Sequence, residues 1–298
     1  APKEKDNIIP IEVEGDMFSK SEQLSRAAAK IAENYDIIHT HDWFGAEAGY
    51  KAKKYSDVNW ISTFHSLSSS RTRNPSKKIE KLEKIALDKS DAAIAVSEKL
   101  GNEIKEVYGE KPLTVHNGFS EAEADTEISF EEEKPVFLYV GRHAEQKGLE
   151  HLLYGFKKFL EDQEGLLVLG GEGHLKKPLE DFVEILGIEE HVRFEGFIPD
   201  NELGSYYNEA DVFVSPSINE PFGLTISEAL NSGTPVVCTK SGINELIPNE
   251  AFKLIEPNSD SIAEGLKESL NCAPVNINGR DWSEMVDDYI EIYRRFLN

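Results

Sequence analysis

Cysteine is almost absent. The 298 residues contain two, Cys238 and Cys272, too few for a disulfide framework or a cysteine-built zinc cluster. Cys238 lies in Pro235-Val236-Val237-Cys238, which reads as a core strand, so reduced thiols in a cytoplasmic protein are expected. No apolar run approaches the length of a membrane-spanning helix, and the opening Ala1-Pro2-Lys3-Glu4-Lys5-Asp6 lacks a signal-peptide pattern. Basic residues are in deficit: 32 Lys and Arg stand against 55 Asp and Glu, a formal charge of −23. That deficit excludes the cationic surface on which non-specific nucleic-acid binding depends. It also repels anionic ligands at long range, so a phosphate site has to be assembled from local cations and helix N-termini. A repeat of solenoid period is absent too.

What is present is an alternation of short apolar runs with amphipathic stretches, the pattern of a mostly parallel α/β sheet. In the first half, strands are expected at 8–13, 36–39, 60–64, 92–96 and 113–115. Helices are expected at 20–34 and 45–55, from Asn74-Pro75-Ser76 to Lys89, and after the cap Ser97. The second half predicts strands at 136–140, 166–169, 192–194, 211–214, 236–237 and 252–255. Its helices are expected at 149–160, 175–186, 200–208, 245–247, 259–270 and 282–297, with a further one following Pro221. Residues 119–134 are acidic and poor in core residues, which suggests an interdomain linker. The expected division is therefore 1–127, 128–280 and a terminal helix at 281–298 that has no strand to serve.

The chemistry gathers just after the strands, the edge at which α/β sheets bind ligands. In Asn219-Glu220-Pro221-Phe222-Gly223-Leu224-Thr225-Ile226-Ser227-Glu228, one carboxylate sits in a loop and the other on the helix that follows. Pro221 suits the first helical position, and Gly223 permits close approach to the backbone. A helix N-terminus there offers amides to phosphate or sugar oxygens, and the two glutamates suit hydroxyls at either end of a sugar nucleotide. Gly141-Arg142-His143-Ala144-Glu145-Gln146-Lys147-Gly148 brings two cations to the end of a strand, as a departing diphosphate requires. Gly170-Gly171-Glu172-Gly173 reads equally as a nucleotide-binding loop or as a plain strand–helix turn, since its spacing is not the dinucleotide fingerprint. His39-Thr40-His41-Asp42-Trp43 and Thr63-Phe64-His65-Ser66 also follow strands. Their spacing matches no helix-borne zinc motif, and hydrogen bonding to a polyhydroxylated ligand suits them better than a metal.

Together Arg142, Lys147, the 170–173 loop, the Glu220–Glu228 segment and Gly233-Thr234-Pro235-Val236-Val237 resemble the retaining glycosyltransferases of family 4 over nearly all of 135–298. His41-Asp42-Trp43 resembles the glycogen and sucrose synthase-like members. The resemblance implies the GT-B fold, two Rossmann-like domains with parallel sheets facing a cleft. It also implies transfer of a hexose from a UDP-, ADP- or GDP-sugar to a sugar or polyol hydroxyl, without a metal or other cofactor. By the same resemblance Arg142 and Lys147 take the diphosphate, and Glu220 and His65 attend the transferred sugar. Glu228 takes the ribose, while Gly171, Gly173 and the Phe222, Gly223 and Leu224 amides line the donor. His41, Asp42 and Trp43 fall on the acceptor side. Family members open with a strand and a glycine-rich loop; none precedes Ile8, so either an N-terminal portion lies outside this sequence or the first domain is reduced. Two other functions fit the same residues: sugar-nucleotide epimerisation, or a nucleotide-sugar-binding module without transfer.

Overall fold

The computed structural model describes residues 11–56, 58–72, 74–120, 122–130, 132–272 and 279–297. The chain divides into two compact units, one of residues 1–116 with 286–298 and one of residues 117–285. In the first unit, α1 (Met17–Ile31) is followed by β1 (Ile37–His41), α2 (Asp42–Tyr55), β2 (Asn59–Phe64) and the single-turn α3 (Ser68–Arg71). Then come α4 (Lys77–Lys89), β3 (Ala92–Ala95), α5 (Glu98–Tyr108) and β4 (Leu113–Thr114). All four strands pair in parallel, in chain order. The strand expected at 8–13 falls largely outside the described residues, and 11–13 carry no regular structure.

The second unit contains β5 (Val136–Val140), α6 (Leu149–Phe159), β6 (Leu166–Gly170), α7 (Lys176–Leu186), β7 (Val192–Gly196), α8 (Leu203–Glu209) and β8 (Val212–Ser215). It continues through α9 (Leu224–Asn231), β9 (Val236–Thr239), β10 (Phe252–Ile255) and α10 (Ser259–Ser269). Helix α11 (Trp282–Arg294) starts in this unit, and its residues from Val286 onward belong to the first. The sheet is parallel throughout, in the order β10-β9-β8-β5-β6-β7. Counted within the unit, that is the doubly wound order 3-2-1-4-5-6, whose direction of winding reverses between β5 and β8. Its four inner strands are buried along nearly their whole length because helices cover both faces, which explains continuous apolar runs such as Val136-Phe137-Leu138-Tyr139. Phe137 meets Phe156 and Phe159 edge-on at 5.8 and 5.0 Å at the centre of this core.

Several expectations need correction. Residues 119–134 are not a free linker, and the units divide at 116/117 rather than at 127/128. The acidic segment binds the second unit through Asp125 N–H to the Asn201 carbonyl (3.0 Å) and Gly204 N–H to the Glu123 carbonyl (2.7 Å). Phe130 is buried in contact with Tyr206, so one apolar side chain anchors an otherwise polar stretch. Helix α2 begins at Asp42, directly on β1, not near 45. The helix expected at 245–247 is a 3₁₀ turn at Gly242–Glu245, closed by a capping box between Ser241 and Asn244. Pro221 is not the first residue of α9: Gly223, at φ 104°, is the cap and the helix starts at Leu224.

Two glycine loops interlock at the ends of β5 and β6. Gly171 has φ 107°, and a Cβ there would lie 2.1 Å from the Gly141 carbonyl oxygen. Gly171→Ala should therefore destabilise the second unit by about 2–4 kcal/mol. Gly187→Ala, also at positive φ (65°) but facing open space, should cost only about 1–2 kcal/mol. Urea unfolding of the two variants checks the difference, and equal costs would show that the loops do not interlock.

Candidate functional site

The reversal between β5 and β8 places the loops that follow them side by side. Gly148 (φ 67°) ends the first loop, and a Cβ there would lie 2.3 Å from the Pro216 carbonyl oxygen of the second. Ile218 N–H donates to the Gln146 carbonyl at 2.8 Å, fixing the two loops in register. Across this seam Lys147 Nζ meets Glu220 Oε2 at 2.6 Å, and Ser217 Oγ donates to the same oxygen at 3.1 Å. Glu220 is 8% exposed, so its carboxylate depends on these donors; removing Lys147 would strand a nearly buried charge. The Ser217 carbonyl accepts in turn from Thr239 Oγ1 at 2.7 Å, tying the seam to β9. Burial first, and the Glu220 charge second, push the Tyr139 hydroxyl and the Cys238 thiol far above their ordinary pKa, so both stay neutral. Arg142 is exposed at the mouth of the first loop, its carbonyl accepting from the Tyr139 hydroxyl at 3.1 Å.

Glu228 lies on α9, half-buried, and accepts from the Tyr207 hydroxyl at 2.9 Å. Burial raises its pKa above the ordinary carboxylate value, with Tyr207 pulling it down and Asp200 adding to the rise. Phe222 is 3% exposed and its carbonyl accepts from Ile243 N–H, whereas Leu224 is exposed at the start of α9. Gly173 lies flush against His143, whose carbonyl oxygen would be 2.3 Å from a Cβ. In this unit, then, Arg142, Lys147, Glu220, Phe222, Gly223, Leu224 and Glu228 lie in or after the β5 and β8 loops, and Gly171 and Gly173 in the adjoining β6 loop. Lys147 and Glu220 pair with each other rather than standing as separate charges.

The first unit gathers its own polar cluster at the ends of β1 and β2. His41 Nδ1 and His65 Nε2 are hydrogen-bonded at 3.0 Å, and the His39 and His41 rings lie 4.5 Å apart. His39 is held at both nitrogens, by the Tyr293 hydroxyl (2.7 Å) and Thr63 Oγ1 (2.8 Å). Asp42 accepts the His65 backbone N–H at 2.8 Å with one oxygen and Arg71 at 2.8 Å with the other, while Arg71 also donates to Ser66 Oγ. Among the described residues Asp42 is the one non-glycine residue at positive φ (53°), a strained backbone of the kind that collects at functional sites. Trp43 does not face a ligand: it is 7% exposed and packs on Phe18 and Phe44, supporting α2 from inside. Among the described residues no three His, Cys, Asp or Glu side chains are arranged to hold a metal ion. Both oxygens of Asp42 and both nitrogens of His39 are already engaged.

Sequence reasoning missed Arg71, Tyr139, Tyr207, Ser217, Tyr289 and Tyr293. Arg71, Tyr207, Tyr289 and Tyr293 reach partners far along the chain, Tyr289 meeting Thr63 Oγ1 at 3.1 Å, which no local motif carries. Tyr139 and Ser217 instead bond residues three positions away. Tyr293 on α11, for example, bonds His39 across 254 positions.

Residues 120–284 match the family model for glycosyl transferases group 1, and residues 7–123 match the model for glycosyltransferase family 4. The chain belongs to the group 1 glycosyltransferases. It is 32% identical over 277 residues to an uncharacterized glycosyltransferase, MJ1607, of Methanocaldococcus jannaschii, covering 86% of this chain and 71% of that one. A glycogen synthase of Mycobacterium tuberculosis is 28% identical over 225 residues, covering 72% of this chain. This chain spans only 54% of that relative's length. Anabaena Alr3699/HepE, solved in complex with UDP and glucose, aligns with a TM-score of 0.77 at 19% identity, over 91% of this chain and 81% of that one. At that identity the likeness shows the fold, which is GT-B, built from two Rossmann-like parallel-sheet units.

The histidine cluster gives the first unit an acid sensitivity. Burial, with the neighbouring His41 and His65, pushes His39 down to about 4, against an ordinary 6.5 in the unfolded chain. The unfolded state therefore binds the extra proton first, and stability falls as pH drops from 6.5 toward 4. His39→Gln should remove on the order of 1–2 kcal/mol of that loss, allowing for solvent screening. Urea unfolding at pH 7 and pH 4.5 checks it, and an unchanged pH slope would refute the assignment.

Proposed function

We propose that this glycosyltransferase moves a hexose from a nucleoside diphosphate sugar to an acceptor hydroxyl with retention of configuration, and that it needs no metal. The observation that carries the reading is the Lys147–Glu220 pair at the winding reversal of the second sheet, with Arg142 exposed beside it. Departure of a diphosphate leaves negative charge on oxygen, which must be met by donors already in place. Arg142 supplies a planar fork for phosphate oxygens, and Lys147 has two further N–H bonds to offer while it holds Glu220. The start of α9 adds backbone amides and the positive end of a helix dipole. Glu220, fixed by Lys147 and Ser217, is suited to accept hydrogen bonds from the transferred sugar. The same ties make it a poor proton-transfer base, which disfavours epimerisation. Glu228 is suited to the ribose hydroxyls, and the family resemblance assigns His65 to the sugar.

UDP or UDP-glucose is the donor to try first, because Alr3699/HepE was solved with UDP-glucose. The relatives' names suggest a sugar, sugar phosphate or inositol phosphate as acceptor. The two free thiols fit a reducing cytoplasm, and no described helix is long and apolar enough to cross a membrane.

Arg142→Ala and Lys147→Ala should each lower kcat/KM by about a hundredfold or more, the scale of one lost charge-stabilising donor. Steady-state assays with UDP-glucose and an acceptor panel measure this, and near-normal turnover in either variant would overturn the assignment. Glu228→Gln should weaken nucleotide binding about tenfold, as for loss of a hydrogen bond to a charged group. Because the Glu228 pKa is raised, wild-type affinity should climb with pH through the acid range as the carboxylate ionises, while the variant stays flatter. Isothermal titration with UDP between pH 5 and 8 separates the two, and parallel curves would remove Glu228 from the site.

A further inference from the structure

His143 follows Arg142 in the β5 loop yet turns inward. It is fully buried, and neither ring nitrogen has a hydrogen-bond partner. Buried imidazole nitrogens are ordinarily paired, so this ring is held chiefly by shape. It lies between Tyr139 of β5 and Phe194 of β7, with ring centroids at 6.3 and 6.1 Å. Its backbone is fully used. The His143 N–H donates to the Glu172 carbonyl (2.9 Å), and its own carbonyl accepts from Leu175 N–H (3.2 Å). These two bonds, with Gly173 pressed flush against the same residue, fasten the Arg142 loop to the glycine loop.

We propose that His143 is a positioning residue that latches the Arg142 loop to the glycine loop only while its imidazole is neutral, so that donor diphosphate binding weakens on acidification. The latch stands on the geometry of His143; its effect on the donor rests on the function proposed above. A second proton would put a charge on a fully buried ring between two aromatic walls, where desolvation outweighs what the Gly170 carbonyl and the Glu172 and Glu180 carboxylates offer. The ring would then leave the space between Tyr139 and Phe194. The backbone bonds to Glu172 and Leu175 would go with it. The charged groups around the ring are Lys176 and Glu180 from α7 and Glu172 from the glycine loop. Burial, seconded by Lys176, lowers the pKa of the ring, while the Gly170 carbonyl and the two carboxylates oppose that shift. A folded-state pKa below the unfolded value means the latch is intact at neutral pH and weakens progressively as pH falls below the ordinary imidazole value of about 6.5.

Hydrogen exchange read by mass spectrometry at pH 7.5 and 5.5, corrected for intrinsic rates, tests the latch in wild type, His143→Leu and His143→Met. Protection of 141–148 and 171–176 should fall at least threefold at pH 5.5 in wild type and hold steady in the two apolar variants. Protection that is independent of pH in wild type, or that falls equally in the variants, overturns the latch. UDP affinity in the same samples should weaken at least threefold more in wild type than in the variants, which share the ionisation of the nucleotide itself. If UDP binds none of the three at either pH, the donor reading fails, while hydrogen exchange still decides the latch.

Discussion

The sheet of the second unit reverses its winding between β5 and β8, and nearly everything the candidate site contains follows from that reversal. The connections leaving these two adjacent strands run to opposite faces of the sheet, and their first residues meet at one point. Gly148 and Pro216 approach too closely for any side chain at 148, and the Gln146–Ile218 bond fixes their register. Lys147 and Glu220 are 73 positions apart, and the topology leaves them little choice but to pair. Pairing offsets the desolvation of a carboxylate that is 8% exposed. The geometry that makes the site therefore also makes its central ion pair structurally necessary.

The first unit solves its polar problem differently. It sets three histidines at the ends of adjacent strands, and burial keeps all three below their ordinary pKa. Neutral imidazoles can donate with one nitrogen and accept with the other, so His41 bonds His65 directly while His39 links Tyr293 to Thr63. Asp42 bears the local strain, and Arg71 and the His65 amide occupy both of its oxygens. One unit thus centres on a fixed ion pair, while the other combines neutral hydrogen bonding with the Asp42–Arg71 pair.

Much of this was legible in the sequence because it is local. Strand–helix alternation is a matter of periodicity, so β5 through β10 stand close to their expected places. Arg142, Lys147, Gly171, Gly223 and Glu228 could be singled out because glycines and charges beside strand ends are themselves a signal. What was misread depends on partners far along the chain. Residues 119–134 looked like a linker because their composition is acidic, yet a few backbone bonds and Phe130 suffice to bind them to α8. Trp43 looked like a ligand contact because it follows His41-Asp42, but the helical turn from Asp42 rotates it into the core. Pro221 looked like a helix start, and only the positive φ of Gly223 shows that the turn closes later. His143 gave no sign at all, since its neighbours come from β7 and the glycine loop.

Almost all of the net charge of −23 resides in the second unit, the one with the expected phosphate site. A diphosphate approaching it meets repulsion beyond the Debye length of about 8 Å only weakly in physiological salt, but more strongly at close range. Local geometry must then outweigh the regional field. On the function proposed above, Arg142 would do so by exposure, Lys147 by being held in place rather than free to swing, and α9 by directing backbone amides that carry no countercharge. A site built this way discriminates by fit at contact instead of by attraction at a distance. The repulsive surroundings raise the cost for any anion that cannot engage all three elements together. On that argument the acidity of the unit is part of its selectivity, and the interlocked glycine loops matter because they keep the three elements in mutual register.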